Sequence, residues 1–189
     1  MANSAAVATT QLIALAVLLL WAVLSDLRHR RIPNALVLTG ITLALASHLA
    51  AAALARSPLA GAAWWAPLTG LAAGFVLLLP LYLLRAMGAG DVKLLATVGA
   101  FIGPSAVISA FVYTLLAGGL LSLAFMLGRG VAAQTLSNLR YLLTDWGARA
   151  STGQGLRLAP LASTAARLPY ALAISLGTAA ALVWPLLGG

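Results

Sequence analysis

Long apolar segments, separated by short polar stretches, restrict this chain more than any single motif does. Most of these segments approach the roughly 20 residues that a helix needs to cross a bilayer. Of the 189 residues, 62% are hydrophobic and only 7% are charged, whereas soluble domains average about 25% charged residues. The sequence therefore predicts an all-α fold, a polytopic bundle of transmembrane helices, and excludes a soluble domain.

The basic residues lie between the apolar segments, where charges that orient a membrane protein are found. The formal charge of +8 is therefore interpreted as topological, and no nucleic-acid partner is expected. With six spans and the N-terminus outside, 10 of the 11 Lys and Arg residues face the cytoplasm and only Arg56 lies outside. The predicted spans cover about residues 7–24, 35–55, 67–84, 92–102, 105–127 and 169–187.

A single membrane-embedded domain is predicted over residues 1–189. Its longest polar stretch, at about 128–168, is predicted to be a cytoplasmic loop. Apolar residues recur there at spacings of three and four, which is typical of an amphipathic helix on the membrane surface. These residues are Leu136, Leu139, Leu142, Leu143 and Trp146. The fourth predicted span, at about eleven residues, is short for a full crossing as one straight helix.

Only three residues of the chain are acidic, and two of them lie at the ends of apolar segments. Asp26 lies in the run SDLRHRRIPN after the first segment, and Asp91 lies in GAGDVKL before the fourth. Acids at membrane depth are costly and mark candidate functional sites. The six-span topology places both aspartates on the cytoplasmic side. Two carboxylates that share a proton can hydrolyse a peptide bond, one acting as base and the other as acid.

Each aspartate also has a purely structural interpretation. Asp26 could form an ion pair with Arg28 or Arg30. Asp91 could cap the fourth helix or pair with Lys93. In the functional interpretation, the two glycines before Asp91 allow the backbone to bend and a substrate strand to approach closely.

Residue types exclude several other chemistries. The chain has no cysteine, which excludes disulfides, cysteine-based zinc sites and thiol nucleophiles. His29 and His48 lie on different segments, which makes a poor metal site. Neither a metal nor a cofactor is therefore predicted. The third acid, Asp145, is predicted to be a solvated residue of the surface helix.

Three stretches of the chain together resemble the prepilin peptidases, most closely the short form that serves tight-adherence (Flp-type) pili. They are SDLRHRRIPN after the first span, GAGDVKLLATVGAFIGP after the third, and RLPYALAISLG at the start of the last. The resemblance implies an aspartic endopeptidase of the GxGD type, with Asp26 and Asp91 as its catalytic residues. The further motif residues that carry over are Gly88, Gly90, Lys93, Arg28, Arg30, Pro33 and Asn34.

The resemblance also implies the substrate and the location. The expected partners are prepilin or pseudopilin precursors, cleaved at the cytoplasmic face of the bacterial inner membrane, together with the surrounding membrane lipids. Longer members of the family carry a cytoplasmic insert with paired CxxC motifs, associated with N-methylation of the mature pilin. This chain has no cysteine, so methyltransferase activity is not expected.

Three other classes of protein can be weighed against a prepilin peptidase. Presenilin-like GxGD proteases pair that motif with a Tyr-Asp dipeptide, and no such dipeptide occurs in this chain. Two alternatives remain open at the level of the sequence. One is a non-catalytic scaffold for pilus assembly, and the other is a proton-coupled channel or transporter that uses the two aspartates as a relay.

Overall fold

The computed structural model describes residues 2–84, 87–128, 137, 140, 144 and 169–187. Within these residues the chain forms five helices and no strand, which confirms the predicted all-α fold. The helices are α1 (Ala2–His29), α2 (Asn34–Ala53), α3 (Ala66–Leu83), α4 (Ala89–Gly128) and α5 (Tyr170–Leu187). Helix α1 packs against α2 and α5, and α2 packs against α3.

Four of the described helices are long and apolar enough to cross a membrane. They are α1 over Val7–His29, α2, α3 and α4, whereas the apolar stretch of α5, Tyr170–Trp184, is shorter. Many large apolar side chains on these helices are exposed, as is expected of surfaces that face lipid. The chain is therefore a multi-pass membrane protein. The count of six crossings and the outside N-terminus stay predictions.

Helix α4 is interrupted at Gly103, whose φ of 80° and ψ of 174° are not helical. Pro104 follows, and it cannot donate a backbone hydrogen bond. We call residues 89–102 the first arm and residues 104–128 the second arm of α4. Gly103 lies against the carbonyl group of Ala60, in the connection between α2 and α3.

The chain reverses direction at this interruption. In a straight helix, Asp91 and Gly118 would lie about 40 Å apart. Instead, both residues belong to one end of the bundle. A Cβ atom on Gly118 would lie 3.4 Å from the ring of Tyr170, and the neighbouring Ala171 donates a hydrogen bond to Asp26. Asp26 in turn interacts electrostatically with Asp91.

Glycines line the contact between α3 and the first arm of α4. A Cβ atom added to Gly70 would fall on the carbonyl group of Gly99, and one added to Gly99 would fall on that of Gly70. A Cβ atom added to Gly74 would meet the carbonyl group of Leu95. Small residues let helix backbones approach closely in membranes. We refer to Gly70, Gly74 and Gly99 as the glycine seam.

Polar side chains fix the connection between α2 and α3, far from the two aspartates along α1. The Gln11 side chain donates to Ser47 Oγ at 3.1 Å and accepts a hydrogen bond from the Leu59 N–H at 2.8 Å. His48, which the sequence predicts to be a helix-packing polar residue, is buried. Its Nε2 lies 3.1 Å from the carbonyl oxygen of Ala63.

Helix α1 continues beyond its predicted end at residue 24 and ends at His29. Asp26 and Arg28 therefore lie in helical turns beyond the predicted span, which corrects the predicted end of the first segment. The reason is that basic residues in a last helical turn complement the partial negative charge of the helix C-terminus. The chain turns toward α2 at Arg30, which has a φ of 54°. The Ser25 hydroxyl group stabilises this turn by donating a hydrogen bond to the carbonyl oxygen of Arg31 at 2.8 Å.

By internal contacts, residues 1–118 and 169–189 form one compact unit, and residues 119–168 form a second. The single domain over residues 1–189 stays a prediction. The apolar residues of the predicted surface helix, and Asp145, lie outside the described residues. Ser137, Arg140 and Thr144, which are described, are helical and exposed.

Candidate active site

Asp26 is held inside the bundle by a main-chain donor from the last helix. Its side chain is only 8% exposed. Its Oδ2 atom accepts a hydrogen bond from the N–H of Ala171 at 3.2 Å. Ala171 lies in the first turn of α5, where unpaired N–H groups give the helix end a partial positive charge. The Ala171 N–H thus fixes the orientation of the Asp26 side chain within the bundle.

Asp91 is half-buried in the first turn of α4. Its Oδ2 atom accepts a hydrogen bond from the N–H of Gly88 at 3.1 Å. Gly88 directly precedes the helix, so Asp91 reaches back to the amide at the helix start, as the acid of a capping box does. The structural interpretation of Asp91 as a helix cap therefore holds. It does not conflict with catalysis, because a carboxylate has a second oxygen.

The fold brings these two carboxylates together. They lie 65 positions apart in the sequence, yet they are close enough for their charges to interact. Each faces the N-terminal end of a helix, α5 for Asp26 and α4 for Asp91, and both helix ends attenuate the repulsion between like charges. In general, two carboxyl groups held close together can divide the roles of acid and base between them. The arrangement can therefore supply an acid and a base in the same site.

Gly90 lies at a close contact between the two aspartate motifs. A Cβ atom added to Gly90 would lie 3.2 Å from the Cβ of Ile32, in the turn after α1. Among the described glycines, positive φ angles occur at Gly61 and Gly103. Gly88 and Gly90 thus have no conformation that requires glycine. Close approach is the role that Gly90 fulfils here, toward Ile32 of the same chain, and approach by a substrate stays a prediction.

Two further motif residues are joined directly. The Nζ atom of Lys93 donates a hydrogen bond to Oδ1 of Asn34 at 3.0 Å. Asn34 is the first residue of α2, and Pro33 before it has an extended backbone, with a φ of −62° and a ψ of 136°. The alternative in which Lys93 pairs with Asp91 is therefore not what the structure shows.

The predicted motif arginines occupy different positions. Arg28 is exposed and lines a cavity of about 280 Å³ beside the end of α1. The other lining residues are Trp21, Leu24, Ser25 and His29, and neither aspartate belongs to the lining. Arg30 contributes its main-chain N–H, which donates to the carbonyl oxygen of Asp26 at 2.9 Å.

Two contributors to the site lie in the quoted stretches, but their residue types do not mark them as site residues. Every residue except proline carries an N–H group, so nothing marks Ala171 as the donor to Asp26. Ile32 reads only as an apolar residue before a proline. Among the described residues, no three His, Cys, Asp or Glu residues lie together as a candidate metal site. The absence of a metal and a cofactor stays a prediction.

Fold and site together define a multi-pass helical membrane protein with paired carboxylates at one end of its bundle. The type IV leader peptidase family model matches residues 13–123. The chain belongs to this family, which confirms the resemblance to the prepilin peptidases. The match includes Asp26 and Asp91 and ends before Ala171. No curated protein and no solved structure matches the chain.

Proposed function

We propose that this chain is an aspartic endopeptidase that removes the basic leader peptide of Flp-type prepilins. It acts at the cytoplasmic face of the bacterial inner membrane. Membership of the type IV leader peptidase family supports leader cleavage. The single observation that carries the aspartic mechanism is the meeting of Asp26 and Asp91, from two distant motifs, at one end of the bundle.

Asp26 and Asp91 act on a water molecule and the scissile peptide bond. The ionised carboxylate accepts a proton from water, and the protonated carboxyl group donates a hydrogen bond to the carbonyl oxygen. The resulting hydroxyl group attacks the carbonyl carbon. The leaving amine then takes a proton from the pair, the C–N bond breaks, and the two carboxyl groups again share one proton. No covalent intermediate forms.

The main-chain amides give the two oxygen atoms of each carboxylate different roles. Ala171 and Gly88 each hold an Oδ2 atom. The Oδ1 atoms are then the ones that face water and substrate. Because the two amides belong to helix starts, they fix the orientation of both carboxylates before the substrate binds, which lowers the ordering cost of the reaction.

The depth of the site supports cleavage at the membrane boundary. Asp26 lies three residues before the end of α1, and Asp91 lies in the first turn of α4. A precursor whose apolar helix lies in the bilayer would present the junction with its basic leader at this level. A channel or transporter relay, by contrast, needs acids near mid-membrane with a path to the other side. Methyl transfer is not part of the proposal.

Co-expression with candidate pilin precursors from the same genome tests this function. The full chain should convert its cognate precursor to a smaller product, and mass spectrometry should show that the product lacks the N-terminal leader. Cells that carry an empty vector provide the control. If every candidate precursor keeps its leader while the protein is present in the membrane, the assignment as a leader peptidase is wrong and the scaffold is favoured.

A further inference from the structure

Lys93 and Asn34 form a hydrogen bond between the two aspartate motifs. The Nζ–Oδ1 distance is 3.0 Å, and the residues are 59 positions apart in the sequence. Asn34 follows Asp26 by eight positions and begins α2, whereas Lys93 follows Asp91 by two positions in α4. Lys93 is thus connected to Asp91 within α4, and Asn34 is connected to Asp26 through the turn between α1 and α2.

Lys93 does not act on Asp91 directly. Residues two positions apart on an α-helix are separated by about 200° around its axis and do not face each other. The observed partners agree, because Asp91 accepts the Gly88 N–H and Lys93 donates to Asn34. The contact that Lys93 makes is therefore with the Asp26 motif, through Asn34, and not with Asp91.

A second contact makes the geometry specific. Ile32 packs against Gly90, one position before Asp91. The turn after α1 thus meets the start of α4 at two points on either side of Asp91, Ile32–Gly90 and Asn34–Lys93. Two points of contact fix both the distance and the rotation of one segment relative to the other. The Lys93 bond has a charged donor, which makes it stronger than a hydrogen bond between neutral groups.

We propose that Lys93 and Asn34 are a positioning pair that sets the separation of Asp26 and Asp91. The consequence for catalysis rests on the proposed function, whereas the effect on the spacing of the two motifs does not. A lysine and an asparagine at these positions thus do more than supply topological charge and a helix start. They join the start of α2, which follows the Asp26 motif, to the start of α4, which carries Asp91.

The rate of disulfide cross-linking, measured on the full chain in membranes, reports directly on the spacing between the two aspartate motifs. The natural absence of cysteine allows a reporter pair, Ile32→Cys with Gly90→Cys, whose Cβ atoms would lie near the range that a disulfide spans. Lys93→Gln and Asn34→Ala should each slow disulfide formation about tenfold, the scale of one charge-assisted hydrogen bond. Asn34→Asp, which keeps an acceptor, should restore the rate. Arg31→Gln is the matched control, because it removes a charge from the same turn without this bond.

The cysteine-free variants give an independent measurement on precursor cleavage. Lys93→Gln and Asn34→Ala should lower kcat with little change in KM, and the double variant should be no slower than the slower single variant. An unchanged cross-linking rate, or single effects that multiply in the double variant, would overturn the pairing. If cross-linking follows the expected pattern but no precursor is cleaved, the positioning pair stands and the proposed function fails.

Discussion

At the scale of single residues, the site depends on two carboxylates that are held by the same kind of hydrogen bond. Asp26 and Asp91 are each held through Oδ2 by a main-chain amide at a helix start. A buried carboxylate without such donors would be strongly destabilising. The amides make it possible to keep two acids side by side in a chain that has only three. In the proposed mechanism, reactivity belongs to the pair and not to either acid alone.

Cleavage should be independent of metal ions and of thiol chemistry. The chain has no cysteine, and among its described residues no cluster of metal-ligating side chains occurs. We therefore expect the purified protein to keep its rate of precursor cleavage in EDTA and after treatment with N-ethylmaleimide. Loss of activity in EDTA that added zinc restores would contradict the two-aspartate mechanism.

The residues of the pair could be predicted from the sequence, but their surroundings could not. Acids are so rare in this chain that Asp26 and Asp91 stand out against the apolar background, and each lies in a recognisable run. The Ala171 N–H is a main-chain group like that of any other residue, so only the fold identifies it as the donor to Asp26. Lys93 and Asn34 were identifiable as motif residues, whereas their mutual hydrogen bond required the packing of α2 against the start of α4.

At the scale of secondary structure, the glycine seam determines where α4 lies. Helices in lipid gain little from the hydrophobic effect between themselves, so close backbone packing has to hold them together. The seam brings the first arm of α4 against α3, and the break at Gly103 then returns the chain toward the aspartate end. The position of Asp91 thus depends on glycines several turns away from it.

Alanine substitutions in the seam should destabilise the protein. In Gly70→Ala or Gly99→Ala the added methyl group would overlap a backbone carbonyl of the facing helix. Such overpacking costs about 1–3 kcal/mol or more, which should appear as a lower midpoint of thermal unfolding in detergent. The matched control is Gly119→Ala, where a Cβ atom meets nothing within 4 Å and helix propensity favours alanine. Equal effects of all three substitutions would contradict the seam.

Helix positions were largely predictable, but one boundary was not. The apolar runs located α2 and α3 to within about two residues, and Pro104 marked the interruption of α4. Hydrophobicity ends at Leu24, yet α1 continues to His29 because a helix does not require apolar residues in its last turns. That extension places Asp26 on a helix, where its direction is fixed.

At the scale of the whole molecule, the reversal of α4 at Gly103 determines which ends of the helices meet. The first arm has 14 residues, or about 21 Å of helix, against a hydrocarbon core of about 30 Å. A short arm of this kind is tolerable where neighbouring helices shield it. The first arm is shielded, since all of its residues from Leu94 to Ile102 are buried.

Membrane topology can be tested with single cysteines in the naturally cysteine-free chain. We expect His29→Cys, Ala89→Cys and Gly153→Cys to react with an impermeant reagent only from the cytoplasmic side, and Gly61→Cys only from the outside. This pattern follows from six crossings with the N-terminus outside. Labelling of positions 29 and 89 from opposite faces would contradict the topology, because the two aspartates would then be unable to share a site.

The most direct measurement of the central claim is the rate of leader removal by the purified full-length protein in lipid vesicles, for the natural chain and three variants. Asp26→Asn and Asp91→Asn should each lower the rate by about 100-fold or more, because each removes one half of the acid–base pair. Asp145→Asn, the matched control with the same change of charge, should leave the rate unchanged. Cleavage near the natural rate by either of the first two variants, with the protein folded in the membrane, would contradict the paired-aspartate account.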